Sequence, residues 1–223
     1  MIVPMLALDV AGTTVQDQGV VLTAFESAFS NLVPEIWAER GQELMDYAVA
    51  TMGQSKIDVF TAMLGEGAKA HMANVEFEKA YLKAIEDGGA FAIDGAEELF
   101  AVAREQKIPV VLTTGFSRKT LDVLIAALGW ADAVDLTVTP SEAGRGRPHP
   151  DMLNLAARHF GVTERESVIV AGDTESDIAF GKAFGSNHVY GVTTGAHSYS
   201  QLIKAGATNV FASVHDLVSL LTS

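Results

Sequence analysis

The sequence has no cysteine, so it builds neither a disulfide framework nor a thiolate zinc site, which is consistent with a reducing cytoplasm. Basic residues are scarce: 15 Lys and Arg stand against 28 Asp and Glu, a formal net charge of −13 at pH 7. Such a field opposes phosphate backbones and anionic membranes, so neither a nucleic acid nor a membrane is an expected partner. An anionic ligand must instead be drawn in by local groups. Internal repeats, low-complexity tracts and long disordered linkers are lacking too. The apolar opening Met1 to Leu8 has no basic flank and meets Asp9 too early for a signal sequence or a spanning helix. It reads as a buried strand.

The 223 residues, 48% of them apolar, suffice for one full core and a smaller appended unit. Val21, Ala24, Phe25, Ala28, Phe29 and Leu32 recur at helical spacing, as do Phe77, Ala80, Tyr81, Ala84 and Ile85. Residues 16–90 therefore read as all-helical. From Gly95 onward the apolar runs "IPVVLTTG", "VDLTVTP", "ESVIVAGDT" and "SNHVYGVTTG" alternate with amphipathic helices marked by Leu121, Leu124, Ile125, Leu128 and by Leu153, Ala156, Ala157, Phe160. That alternation predicts an α/β fold, a doubly wound parallel sheet with functional loops at the carboxyl ends of strands. "TVQDQG" and "DGGAFAIDG" read as hinges. The expected division is a core of residues 1–15 and 91–223, with a helical cap of residues 16–90 inserted after strand one.

Four stretches carry chemistry. "LDVAGTT" delivers Asp9 into a turn where Gly12 permits close approach of an anion and Thr13 offers a hydroxyl and an amide. "VVLTTGF" supplies Thr114 and the Gly115 amide as neutral donors. "GRGRPHP" supplies the cation Arg147, and "VAGDTESD" supplies Asp173 and Asp177. Carboxylates gathered without histidine or cysteine suit a hard ion such as Mg2+. Nucleophile, oxygen clamps and metal together make a phosphoryl-transfer site. Blander readings stand beside these: Arg147 as a surface ion pair, Thr113 and Ser117 as turn and cap residues, His197 as a structural loop histidine, and Trp37, Trp130 and the methionines as packing, with Met52 beside Gly53 able to line a pocket. A phosphorylated receiver domain would lack a helical insert of this length. A binding module without turnover is the other rival, motivated by Ala11 alone.

"DVAGTT", "TTG", "GRPHP" and "GDTESD", in that order and with a helical insert after the first, resemble the four motifs of the haloacid dehalogenase superfamily over essentially the whole chain. The resemblance implies that Asp9 is the nucleophile forming an aspartyl-phosphate, Thr114 the phosphate donor and Arg147 the stabilising cation. It also implies Mg2+ held by Asp9, the Ala11 carbonyl, Asp173 and Asp177. At position 11 most phosphatases of the superfamily carry an aspartate acid/base, whose loss costs about two to four orders of magnitude in rate. The phosphonatase branch likewise has AGTT there, because a carbon leaving group gives no alkoxide to protonate. "TMGQSKIDVF" is similar to the "MGxxKID" stretch of that branch and puts Lys56 at its imine-forming lysine, which acts as the electron sink. Val59 and Phe116 depart from the branch, which has histidine and tyrosine there, and point to a related small substrate. Lys56 as a clamp for phosphate stays open. The implied activity is Mg2+-dependent hydrolysis of a small phosphonate, phosphonoacetaldehyde-like, or of a related phosphorylated metabolite; a phosphomonoesterase of the phosphoglycolate-phosphatase kind is the alternative. Such a metabolite is the expected partner, and a homodimer is compatible with the sequence.

Overall fold

The computed structural model describes residues 3–222. In chain order its elements are β1 (Leu6–Asp9), α1 (Val20–Leu32), α2 (Pro34–Ala50), α3 (Lys56–Leu64), α4 (Ala68–Ala84), a π-turn (Ile85–Gly89), α5 (Ala96–Glu105), β2 (Val110–Thr113), α6 (Arg118–Leu128), β3 (Leu136–Val138), α7 (Pro140–Ala143), α8 (Asp151–Phe160), β4 (Ile169–Gly172), α9 (Glu175–Phe184), β5 (His188–Val192), α10 (Tyr199–Ala205), β6 (Asn209–Phe211) and α11 (Val218–Leu221). The strands form one six-stranded sheet in the order β3-β2-β1-β4-β5-β6, and every pairing is parallel. Parallel strands covered on both faces need apolar side chains on both. β1, β2 and β4 meet that need, with every residue buried. Strand order reverses between β1 and β4, and the crevice at such a switch point is where open α/β sheets bind ligands.

The expected helices at 118–128 and 151–160 form. Ser117 caps α6 by accepting from the Thr120 amide, and Met152, Leu153, Ala156 and Ala157 bury one face of α8. β6 is absent from the sequence reading, because three residues with an exposed Asn209 leave no periodicity to read. Arg147 does not follow its strand directly. The short helix α7 separates β3 from the Arg147 loop, begun by Thr139 and Pro140 with a Thr139–Glu142 capping box.

Helices α1–α4 occupy the segment between β1 and α5, and aromatic packing holds them together. Phe25 lies 4.7 Å from Phe77 and 5.0 Å from Phe60 between ring centroids, and Phe60 lies 5.4 Å from Phe29. Phe116, from the loop after β2, enters this cluster 4.5 Å from Tyr81 and 6.4 Å from Phe77. The insert and the sheet thus share one hydrophobic core. Where the chain leaves and re-enters the sheet the two crossings pair: Val15 bridges Ala92 in antiparallel sense, the Gln16 amide donates to Phe91 O at 2.8 Å and the Ile93 amide to Thr14 O at 2.9 Å. Among the described residues no helix is long and apolar enough to cross a membrane.

Phe77 is fully buried and touches Phe25, Phe60, Tyr81 and Phe116. Truncation leaves a cavity that rigid rings do not refill. Phe77→Ala is expected to cost about 3–5 kcal/mol, read as a lowered midpoint in guanidinium unfolding followed by near-UV circular dichroism.

Candidate active site

Asp9 ends β1, and the following turn depends on Gly12. Its φ is +84°, and a β-carbon there would come within 2.6 Å of Asp173 Oδ2. Only glycine allows both the left-handed backbone and the approach of that carboxylate. The Thr13 hydroxyl donates to Asp173 Oδ1 at 2.9 Å, and the Ala196 amide donates to Asp173 Oδ2 at 2.8 Å. Asp177 is set differently. As the third residue of α9 it completes a capping box with Thr174, whose amide and hydroxyl donate to Oδ2 at 3.0 and 2.5 Å. The spacing in "GDTESD" is therefore a helix-start signature that also aims a carboxylate inward.

Arg147 joins these elements. Nη1 lies 2.7 Å from Asp9 Oδ1 and donates to Gly53 O at 3.1 Å; Nη2 donates to Thr113 O at 2.9 Å and to Thr113 Oγ1 at 2.6 Å. Nε stands 2.8 Å from Asp177 Oδ1, near enough for charge pairing but without hydrogen-bond geometry, and neither atom has another hydrogen-bond partner. The side chain is 1% exposed. The reading of Arg147 as a surface ion pair is thereby replaced by a buried one.

The three carboxylates Asp9, Asp173 and Asp177 are buried and offer oxygens within 4.8 Å of one another. Burial pushes the Asp9 carboxyl well above the ordinary range; Asp177 and Asp173 add to the rise, and Arg147 only partly offsets it. Asp173 is pushed up to about 7, by burial first and by Asp177 next. A nest of like charges with one orphaned buried oxygen is short of positive charge. Hard oxygen donors in that state fit a divalent cation.

Lys56 opens α3 and faces the same cavity, which is lined by Asp9, Ala11, Gly12, Asp17, Met52, Gly53, Thr114, Gly115, Asp173, Gly195 and Ala196 among others. Its Nζ sits 5.7 Å from the Phe25 ring centroid and 5.6 Å from that of Phe116. Among the described residues this Nζ makes no hydrogen bond or ion pair. Burial pulls its pKa down to about 8, against the pull of Asp9 and Asp17. Asp58 does not oppose this: it is exposed and lines a separate recess with Ile57, Asn74 and Glu78. That recess has no basic side chain and does not suit an anion.

All the expected site residues thus gather at the carboxyl edge of β1, β2 and β4. Thr113 ends β2 and serves Arg147, Ser117 caps α6, and His197 is structural, its Nδ1 accepting from the Glu175 amide at 2.9 Å. Val59 is buried in the insert core. Two contributors escaped the sequence reading. The Thr194–Ala196 loop after β5 reaches in, with Thr194 Oγ1 donating to Gly12 O at 2.6 Å; its "VTTG" repeats the "LTTG" after β2, a signal that was available. Asp17, in the first crossing, carries no motif at all.

A buried aspartate at a strand end, a guanidinium bound to it and a carboxylate nest sit together at the switch point of the sheet. The chain belongs to the haloacid dehalogenase-like hydrolase family, whose sequence model matches residues 3–185. It is 33% identical to a Bacillus cereus phosphonoacetaldehyde hydrolase over 199 residues, 83% of this chain and 74% of that protein. The crystal structure of a hydrolase from Pseudomonas syringae superposes with a TM-score of 0.81 at 20% identity, covering 98% of both chains. That of a phosphonoacetaldehyde hydrolase-like protein from Oleispira antarctica superposes with a TM-score of 0.79 at 24% identity, covering 99% of this chain and 91% of that one.

The loop 52–56 of the insert is seated on the core through glycine contacts. The Lys56 amide donates to Gly115 O at 3.2 Å, and a β-carbon on Gly115 would overlap the Gln54 carbonyl. Gly115→Ala must therefore push this loop, with Lys56, away from Asp9. Displacement by about 1 Å is expected to lower kcat/KM about a hundredfold, measured as Mg2+-supported hydrolysis of an aryl phosphate.

Proposed function

We propose that the protein hydrolyses the carbon–phosphorus bond of a small phosphonate bearing an aldehyde, of which phosphonoacetaldehyde is the simplest. One observation carries the reading: a buried amine without a partner, Lys56, faces the same cavity as Asp9 while position 11 has no side-chain acid. In this reading the neutral amine of Lys56 condenses with the aldehyde, and the iminium withdraws electrons from the adjacent carbon. Asp9 then attacks phosphorus to give an aspartyl-phosphate, and the departing carbon is released as an enamine instead of a carbanion. Arg147 and the hydroxyl and amide donors of Thr114 and Gly115 hold the phosphoryl oxygens; water hydrolyses the acyl phosphate. Asp9, Asp173, Asp177 and the Ala11 carbonyl are the residues that would hold Mg2+, which when bound supplies charge neutralisation for the phosphoryl group. Residues 16–90 act as a cap on the core of residues 1–15 and 91–223, closing over the substrate to exclude water. Met52, Gly53, Gly12 and Thr13 line the substrate's surroundings.

The cavity that Asp9 and Lys56 share is small, and such a space suits a small metabolite and no larger ligand. Identity to a phosphonoacetaldehyde hydrolase over most of the chain supports the same substrate class. A phosphomonoesterase of the phosphoglycolate-phosphatase kind is the competing reading. What favours it is that a lysine of pKa about 8 is only about one-tenth neutral at pH 7 and can serve as an ammonium clamp.

Borohydride separates the two. Added during turnover of phosphonoacetaldehyde, it is expected to inactivate the enzyme and leave a reduced adduct on the Lys56 peptide, found by mass spectrometry. No adduct, with Lys56→Arg retaining hydrolysis of phosphate esters, gives the monoesterase instead. The rate of trapping is expected to rise with pH and level off above about 8, where Lys56 becomes mostly neutral. The same shift has a stability signature. Between about 8 and the ordinary lysine value of 10.5 the unfolded state binds the extra proton, so Lys56 adds stability as pH rises through that window.

Asp9→Asn is expected to abolish turnover, by about a thousandfold or more, while preserving inorganic phosphate binding by calorimetry. Chelation is expected to stop the wild-type enzyme, and Mg2+ to restore it.

A further inference from the structure

We infer that Asp17 is the proton-transfer residue of this site, serving from the insert side the role that Ala11 cannot serve from the core. The inference rests on the imine reading above and deepens it. Making an iminium requires that the aldehyde oxygen leave as water, and that step needs a proton donor. Neither Val59 nor Phe116 offers a titratable group.

The cavity supplies few carboxyl groups for this task. Asp9 is committed to phosphorus and bound to Arg147. Both oxygens of Asp173 already accept hydrogen bonds, from Thr13 and Ala196. Asp17 remains. It lines the cavity with Lys56, sits at the crossing between β1 and α1, and is half-buried. One oxygen, Oδ1, accepts from the Val21 amide at 2.9 Å and so anchors the carboxyl to the start of α1. Among the described residues it forms no ion pair with Lys56, yet each feels the other's charge across the cavity that both line. Burial raises the Asp17 carboxyl above its ordinary range, against the Val21 amide and the Lys56 charge, which favours the acid form needed by a donor.

The proton accounting closes. The Lys56 nitrogen lone pair forms a bond to the aldehyde carbon, the carbonyl π pair moves to oxygen, and a nitrogen proton moves to that oxygen to give a carbinolamine. The carbon–oxygen bond then breaks with the proton of the Asp17 carboxyl, releasing water and leaving an iminium beside a carboxylate. After the phosphorus has left, the enamine carbon takes a proton from solvent to give the new iminium; the Asp17 carboxylate then takes a proton from the water that adds to it, and the resulting carbinolamine collapses to aldehyde and free Lys56 amine.

The test separates chemistry from capping, because asparagine caps a helix as well as aspartate does but donates no comparable proton. Asp17→Asn is expected to keep the wild-type melting temperature and to slow borohydride trapping of Lys56 by phosphonoacetaldehyde, and kcat, about a hundredfold. Formate added to Asp17→Ser, which also retains a capping oxygen, is expected to restore part of the trapping rate; this second variant decides the matter if Asp17→Asn does not fold. Trapping by Asp17→Asn within threefold of wild type overturns the role of Asp17 while leaving the imine reading intact. Failure of the wild-type protein itself to form any adduct overturns both.

Discussion

One guanidinium holds the site in register. Arg147 reaches the Asp9 carboxylate at the end of β1, the last residue of β2, the carboxylate that starts α9 and a carbonyl of the helical insert. Those groups come from four separate parts of the chain. Without a positive charge at their centre, Asp9 and Asp177 would be two desolvated like charges, and removal of one partner from such a buried pair is far costlier than loss of a surface bridge. The same contact to Gly53 O ties the position of the insert loop to the state of the carboxylates. Chemistry and domain geometry therefore share a single cation.

The insert answers a complementary constraint. In an acidic protein the few cations at this sheet edge are set among aromatic side chains that keep water from them. Lys56 stands between the Phe25 and Phe116 faces, where an ammonium keeps some quadrupole attraction but loses hydration, and burial wins. Phe116 has two roles here, as wall of the amine site and as the core's contribution to the insert's packing. A hydroxyl at that ring would have to find a partner among apolar neighbours.

Much of this was legible beforehand because it rests on periodicity and short spacing. The helices at 20–32, 68–84, 118–128 and 151–160 show their buried faces directly, and Asp9, Thr114, Arg147, Asp173 and Asp177 are each adjacent to a readable strand or turn. The illegible parts depend on tertiary contact. β6 is three residues long, and Asn209 at its start is exposed. The Thr194 hydroxyl meets the Gly12 carbonyl across 182 positions. Asp17 sits in a polar linker, where an aspartate before a helix reads as a cap, which it also is. Residues with two simultaneous duties present only the local one to a linear reading.

The pairing of Val15 with Ala92 changes what the insert is to the rest of the chain. Since the outgoing and returning segments lie hydrogen-bonded side by side, the sheet experiences the intervening helices as a hairpin of zero span: the distance bridged does not depend on how much chain lies beyond. Loop-closure entropy grows only slowly with length, so the crossing itself sets little limit on how much chain lies beyond it. The insert is thus held to the core at two places, at its base by the Val15–Ala92 bridge and across the site by the contacts of Gly53 and Lys56.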